Sequence, residues 1–418
     1  MRNIANNPPM GWNSWDCYGA AVNEEQVRAN AEYMAEHLKD YGWEYVVVDI
    51  QWYEPAAKSH EYNPDAPLIM DEFGRLMPAV NRFPSADNGN GFKPLADYVH
   101  SLGLKFGIHI LRGIPKQAVR ENVKIKGTDV RAAQIADLGS VCEWNGDMCG
   151  VDMTREGAQE YYNSIFELYA EWGVDFVKVD DIARPYHKAE VEAVNRAIKN
   201  SGRDMVLSLS PGSAPLGEAQ HMSEWANMWR MTDDFWDNWD ALKKMFDYCR
   251  DWFPYVGAAH WPDCDMLPIG VLRVCNGNGG EKTNFTEDEQ KTLMSLWAMF
   301  RSPLMVGADL PKNDEFTLSL LQNRDIIEIN QNTCGNREVY RKGDEIVWTA
   351  NGAGKFVYLA RFNVGETEIN SEFNLSFIGI GGKVNVYEIW SKTQESVTQK
   401  ITSTIPPHGV KLYKITLE

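Results

Sequence analysis

The chain has no run of about 18 apolar residues, so no segment is long enough to cross a bilayer as a helix. Histidine is scarce, with 8 in 418 residues, and neither histidines nor cysteines fall at zinc-ligand spacing. The 7 cysteines, an odd number scattered from Cys17 to Cys334, do not make a disulfide framework. Cys142 and Cys149 are near enough to staple a loop, but two free thiols are the expected state. No Gly-rich strand-to-helix turn leads into Lys-Ser or Lys-Thr, so a phosphate cradle of that kind is missing. Positive charge is in deficit: 41 basic against 59 acidic residues leave a net charge of −18, which argues against nucleic acid and anionic membranes as partners. The stretch Met1 to Pro9 has no apolar segment of signal-peptide type. That is expected of a cytoplasmic chain, or of a secreted or periplasmic one whose leader has been trimmed.

What is present is a series of apolar stretches that end in charge. Tyr45 to Asp49, Lys105 to Leu111 and Phe176 to Asp180 read as strands buried on both faces. Met10 to Trp15, Met205 to Ser210, Met228 to Asp234, Tyr255 to His260 and Pro303 to Gly307 complete eight. Helical patterns alternate with them, one capped by Asn23 and one opening at Thr286. A closed (β/α)₈ TIM barrel follows, an α/β fold, over residues 1–327. From about Glu328 the texture changes to short alternating segments such as Glu345 to Thr349 and Phe356 to Ala360. These predict a C-terminal all-β antiparallel sandwich over 328–418. A flat sandwich face on an acidic barrel is compatible with a homodimer.

Parallel-sheet enzymes keep their chemistry at the C-terminal ends of the strands. Those ends carry Trp15, Asp49, His109, Lys178, Asp180, Ser210, Arg230, Asp234 and Asp265. Lys178 beside Asp180 favours the carboxylate form of that acid, which suits a nucleophile. Asp234 follows Trp229 and precedes Phe235, Trp236 and Trp239, and desolvation there favours a proton-bearing general acid. A metal held by Asp49, Asp180 and Asp265 is disfavoured because Lys178 and Arg230 already balance that charge. Neither a metal nor another cofactor is expected. Two carboxylates and aromatic faces meet the needs of glycoside hydrolysis; barrel packing is the expected place for each of Trp52, Trp236 and Trp261, but the 15 tryptophans leave several spare for sugar stacking. A non-catalytic carbohydrate-binding protein is the competing class. A Lys178 Schiff-base enzyme is a third, opposed by the acid that keeps this lysine charged.

Five ordered stretches resemble glycoside hydrolase family 27, the α-galactosidase family. They are Pro9 to Trp15, Val177 to Asp180, Ala226 to Asp234, Asp265 to Gly270 and Leu321 to Gln331. The resemblance implies a barrel followed by an antiparallel β-domain, and double displacement with retention through a covalent glycosyl-Asp intermediate. It implies Asp180 as nucleophile and Asp234 as acid/base, with adjacent Asp233 the rival for the second role. Lys178 and Arg230 would bind ring hydroxyls, Trp15 would stack on the sugar, and Asp49 and Asp265 would accept from it; Trp52, His109 and Ser210 complete the expected substrate contacts. Three departures bear on the glycone. Asp49-Ile50 stands where the family's galactosidases usually have two acids, His109 replaces a tyrosine, and Ser208 to Ala214 lacks their Cys-Glu-Trp. An α-galactosidase is the favoured reading. The small residues of Ser208 to Ala214 resemble the α-N-acetylgalactosaminidase branch, and the missing acid resembles the β-L-arabinopyranosidase branch. The loops Gln51 to Phe92 and Cys142 to Asp147 are expected to shape the pocket rim.

Overall fold

The computed structural model describes residues 4–210 and 212–417. The leader reading over Met1 to Asn3, and Pro211 after the fifth expected strand, lie outside the described residues. Eight parallel strands curl into one sheet: β1 (Met10–Asn13), β2 (Tyr45–Val48), β3 (Lys105–Leu111), β4 (Phe176–Asp180), β5 (Val206–Leu209), β6 (Met228–Arg230), β7 (Trp261–Asp263) and β8 (Leu304–Val306). Their order in the sheet is β7-β6-β5-β4-β3-β2-β1-β8. The gap between β7 and β8 is spanned past the end of β7, where Leu267 N–H donates to Met305 O at 2.8 Å and Gly307 N–H to Leu267 O at 3.1 Å. The expected seventh strand, Tyr255 to His260, is corrected: it opens on the last residue of a 3₁₀ turn (Phe253–Tyr255) and runs through a tight loop, and the strand begins at Trp261.

Alternation along the strands sets what faces the barrel axis. Tyr45, Val47, Phe176, Val206, Met228, Trp261 and Met305 form an apolar floor. Gly107 leaves room for it, since a Cβ there would lie 2.9 Å from both Phe176 Cβ and Val47 Cγ2. Two residues further along each strand the same inward parity delivers Asp49, Lys178, Ser208, Arg230 and Asp263. The polar layer therefore stands directly on the apolar one.

The helices that cover the sheet include α1 (Glu24–His37), α2 (Lys93–Ser101), α3 (Ala158–Trp172), α4 (Lys188–Ser201), α5 (Ala219–Trp225), α6 (Trp239–Trp252), α7 (Glu287–Phe300), α8 (Glu315–Leu321) and α9 (Arg324–Asn332). Asn23 and Thr286 cap α1 and α7 with reciprocal capping boxes, which satisfy N–H groups the helices cannot. Helix α3 starts after Gly157. Residue 328 lies inside α9, and the first strand of the C-terminal sheets starts at Cys334. Those sheets are β9 (Cys334–Lys342), β10 (Glu345–Asn351), β11 (Phe356–Asn363), β12 (Ile369–Asn374), β13 (Lys383–Glu388), β14 (Thr393–Thr398), β15 (Lys400–Ile405) and β16 (Val410–Thr416). Six pair in the order β9-β10-β11-β16-β13-β14, and β12 pairs with β15 in a second antiparallel sheet.

Barrel and sandwich share one apolar cluster, with Phe246 of α6 against Phe362 and Phe300 of α7 against Trp348. At its margin the His408 ring stacks on Trp239 at 3.7 Å, and His408 Nδ1 lies 2.7 Å from Glu289 Oε1 on α7. No helix among the described residues is long and apolar enough to cross a membrane. Cys142 and Cys149 are free, as are the other five cysteines.

Candidate active site

The motif after β1 builds the first wall. Asn13 Nδ2 donates to Asp49 Oδ2 at 2.8 Å, and Ser14 Oγ accepts from the Asp49 amide at 2.9 Å. Lys178 Nζ, from β4, donates to the same Asp49 Oδ2 at 2.9 Å. Burial works against the Asp49 charge, but Lys178 and then His109 outweigh it and hold this carboxyl well below the usual range. Burial likewise opposes the Lys178 ammonium, and Asp49 and Asp180 more than restore it, keeping the amine above its ordinary value. A permanently charged lysine is a poor Schiff-base former. Lys178 thus bonds to Asp49 rather than to Asp180, while still feeling the latter's charge.

Asp180 has a different partner. In the strand register His109 sits beside Lys178, one strand over, and its Nε2 lies 2.8 Å from Asp180 Oδ2. Asp180 Oδ1 accepts from the Asp181 amide at 2.6 Å. Arg112 braces the turn from behind, with its amide donating to Asp180 O at 3.0 Å and its Nε to Asp181 O at 2.7 Å. Asp181 itself is pushed up to about 6, by burial and by Asp180, against the pull of Arg112.

On the facing side Arg230 Nη2 meets Asp234 Oδ1 at 3.1 Å and Asp265 Oδ2 at 3.0 Å. Asp265 also accepts from the Phe235 amide at 2.7 Å, and burial raises it despite Arg230. The aromatic burial expected around Asp234 is corrected here: its side chain is 57% exposed, because Trp229 packs into the helix layer and Trp239 against the sandwich. Asp233 turns to the rim and pairs with Arg184 at 2.6 Å.

These groups enclose a cavity of about 340 Å³, which Trp15, Asp49, Lys178, Asp180, Arg230, Asp234 and Asp265 all line. Three expected substrate contacts lie outside that wall. Trp52 is fully buried and donates to His109 O at 2.7 Å, held between Phe92 and Trp172. His109 supports Asp180 from behind, and Ser210 is buried with its amide bonded to Val179 O at 2.7 Å. Trp261 belongs to the barrel floor. The sequence reading missed Asp16, Tyr62, Trp144, Arg184 and Met266 as wall residues. Both loops expected at the rim reach the cavity, and they meet: Tyr62 and Trp144 have ring centroids 5.6 Å apart, and Gln51 Nε2 ties the loops by donating to Asp147 Oδ2 at 2.9 Å. Among the described residues no cluster of three His, Cys, Asp or Glu side chains is arranged to hold a metal ion. Asp49, Asp180 and Asp265 each have a different cationic or imidazole partner.

A parallel barrel whose mouth offers acids, two fixed cations and an aromatic rim in a sugar-sized hollow is the architecture of a glycoside hydrolase. Residues 7–156 and 143–332 match the family described as alpha galactosidase A, and residues 342–415 match the alpha galactosidase C-terminal beta sandwich domain. The chain belongs to that family, glycoside hydrolase family 27, and is a glycoside hydrolase. A β-L-arabinopyranosidase of this family from Geobacillus stearothermophilus is 54% identical, with a TM-score of 0.97 over 99% of this chain and 97% of that one. A Bacillus halodurans protein provisionally named an α-N-acetylgalactosaminidase is 52% identical, with a TM-score of 0.91 over 100% and 99% of the two chains. Alpha-galactosidase 2 of Arabidopsis thaliana is 28% identical over 99% of this chain and 90% of its own.

Proposed function

We propose that this protein is a retaining, exo-acting glycosidase of galactose-configured sugars in which Asp180 attacks the anomeric carbon and Asp234 serves as acid/base. His109 and the Asp181 amide orient Asp180 as it forms the glycosyl ester. Arg230 holds Asp234 on the opposite wall, which favours it over Asp233, whose partner Arg184 draws it outward. Lys178, Asp49 and Asp265 supply fixed donors and acceptors for ring hydroxyls, and Trp15 a stacking face. The catalytic unit is the barrel, 1–327, with 328–418 bracing it; a homodimer is proposed, for which light scattering is the check.

The observation that selects the glycone is Ile50, which lines the cavity beside Asp49. A β-L-arabinopyranosyl group is an α-D-galactosyl group without its hydroxymethyl, and an apolar wall offers that hydroxymethyl no hydrogen-bond partner. Arabinopyranosides are therefore the preferred substrates, with α-galactosides, the substrates that the names of several family relatives print, hydrolysed more slowly. A panel of nitrophenyl β-L-arabinopyranoside, α-galactoside, α-N-acetylgalactosaminide and α-glucoside tests this. The arabinopyranoside should lead by about tenfold or more in kcat/KM. A lead for the α-galactoside would return the assignment to α-galactosidase.

A further inference from the structure

Six carboxyl groups line the cavity, and five have a cationic or imidazole partner. Lys178 serves Asp49, His109 serves Asp180, Arg184 serves Asp233, and Arg230 serves Asp234 and Asp265. Asp16, the sixth, lies in the turn after β1, is 3% exposed and lines the cavity. Its Oδ2 is buried without any hydrogen-bond partner. The adjoining Arg273, whose amide donates to Asp16 O at 2.8 Å, has its guanidinium committed to Asp237. Gly307, at the end of β8, accommodates the group: a Cβ there would come within 2.1 Å of Asp16 Oδ2.

We propose that Asp16 keeps its proton and binds the glycone as a hydrogen-bond donor to one ring hydroxyl. This deepens the functional reading above and rests on it. An ionised carboxylate enclosed without a donor or cation is costly, whereas a neutral carboxyl is not. Burial, then the Asp265 and Asp234 charges, push this acid well above the usual carboxylate range, with Lys178 offsetting only part. The other acids of the wall act as acceptors, so Asp16 adds a neutral donor beside the charged donors Lys178 and Arg230. A site that donates to a substrate hydroxyl discriminates against the analogue lacking it more sharply than one that only leaves space.

The test compares wild type, Asp16→Asn and Asp16→Ala on nitrophenyl β-L-arabinopyranoside and α-galactoside and on their 2-, 3- and 4-deoxy forms. Calorimetric binding of L-arabinose and D-galactose gives a readout independent of turnover. Asparagine keeps a donor in the same volume, so Asp16→Asn should stay within about threefold of wild type. Alanine removes the donor and should lower kcat/KM and sugar affinity about 10- to 100-fold, mostly through KM. One deoxy substrate should penalise wild type and Asp16→Asn but not Asp16→Ala. If Asp16→Ala does not fold, Asp16→Leu fills the volume without a donor and takes its place. Equal damage from Asn and Ala would identify an ionised acceptor and overturn the proposal. Wild-type behaviour of the Ala variant, or an Ala loss that no deoxy substrate cancels, would overturn it too while leaving the functional reading intact. A wild-type protein that neither turns over nor binds these sugars would overturn both.

Discussion

Arg361 and Arg230, one in each region, are both buried beside acids, and they are bonded in different ways. Arg361, inside the C-terminal sheets, is fully enclosed. Its Nε and Nη2 reach Glu345 Oε1 at 2.9 and 2.6 Å, its Nη1 reaches Ser403 Oγ at 2.7 Å and Ile401 O at 3.2 Å, and Nη2 also meets Ser371 Oγ. Arg230, at the barrel mouth, is 4% exposed, yet all its contacts pass through Nη2, and its Nε is buried without a partner. The first arginine has spent its donors on the fold. The second holds some in reserve, and in a pocket that reserve is what a ligand meets.

The contrast can be broken at several points, and the largest effect belongs to Asp180, the acid held by His109. Asp180→Ala should lower kcat/KM by roughly 10⁴-fold or more, with azide restoring part of the turnover and inverting the product. Near wild-type activity would dismiss Asp180 as nucleophile. Arg230→Lys keeps the charge and loses the planar fork, and kcat/KM should fall roughly 10²-fold while the urea midpoint barely moves. Arg361→Leu should do the reverse. It strands Glu345 in the interior, costs about 3–5 kcal/mol in urea unfolding and leaves activity per folded molecule unchanged. Adding Glu345→Leu should recover most of that loss. If Arg361→Leu reduced kcat instead, the two arginines would not differ as described.

Ile50→Asp sharpens the same comparison from the substrate side. It should move kcat/KM from arabinopyranoside toward α-galactoside by about 10- to 100-fold, read as a ratio so that general damage cancels. The smallest effect concerns Asp263, the register partner of Arg230 on β7. Burial, then Asp265, raise it from the ordinary 3.8 to about 7 against the pull of Arg230. A raised acid binds its proton more tightly folded than unfolded, so its contribution favours folding below pH 3.8 to 7 and is lost as pH rises through that window. Asp263→Asn should flatten this slope by an amount on the order of 1 kcal/mol in chemical denaturation at pH 5 and pH 8.

Most of the barrel was legible because its strands are apolar runs with a fixed parity, and parity alone predicts which acids face the axis. The seventh strand was not. Its three residues, Trp261-Pro262-Asp263, include a proline, which sequence reasoning takes as evidence against a central strand. Here the strand ends the hydrogen-bonded ladder: Trp261 N–H donates to Asn227 O, and Pro262, next along, turns its missing N–H to the open seam. The proposed catalytic pair and its cations were legible as strand-end charges. The partners were not, because Lys178 chose an acid 129 residues away over one two positions along its own strand. Trp52 failed for a related reason, since sequence shows that an indole is present but not which layer encloses it. Asp16 and Tyr62 carried no signal beyond their types, as loops and single turns lack the periodicity that marks a face.

His408 has a consequence for the chemistry although it is far from the cavity in sequence. Its ring is pressed on Trp239, the first residue of α6, and its nitrogen is joined to Glu289 of α7. Asp234 leaves the sheet only five residues before that pinned tryptophan. The terminal sheets thus work as a splint, fixing where the segment after Asp234 lands and so limiting how far the acid can swing. In the mechanism proposed above, the aim of Asp234 is set partly from outside the barrel, by a stacked imidazole that does not line the cavity.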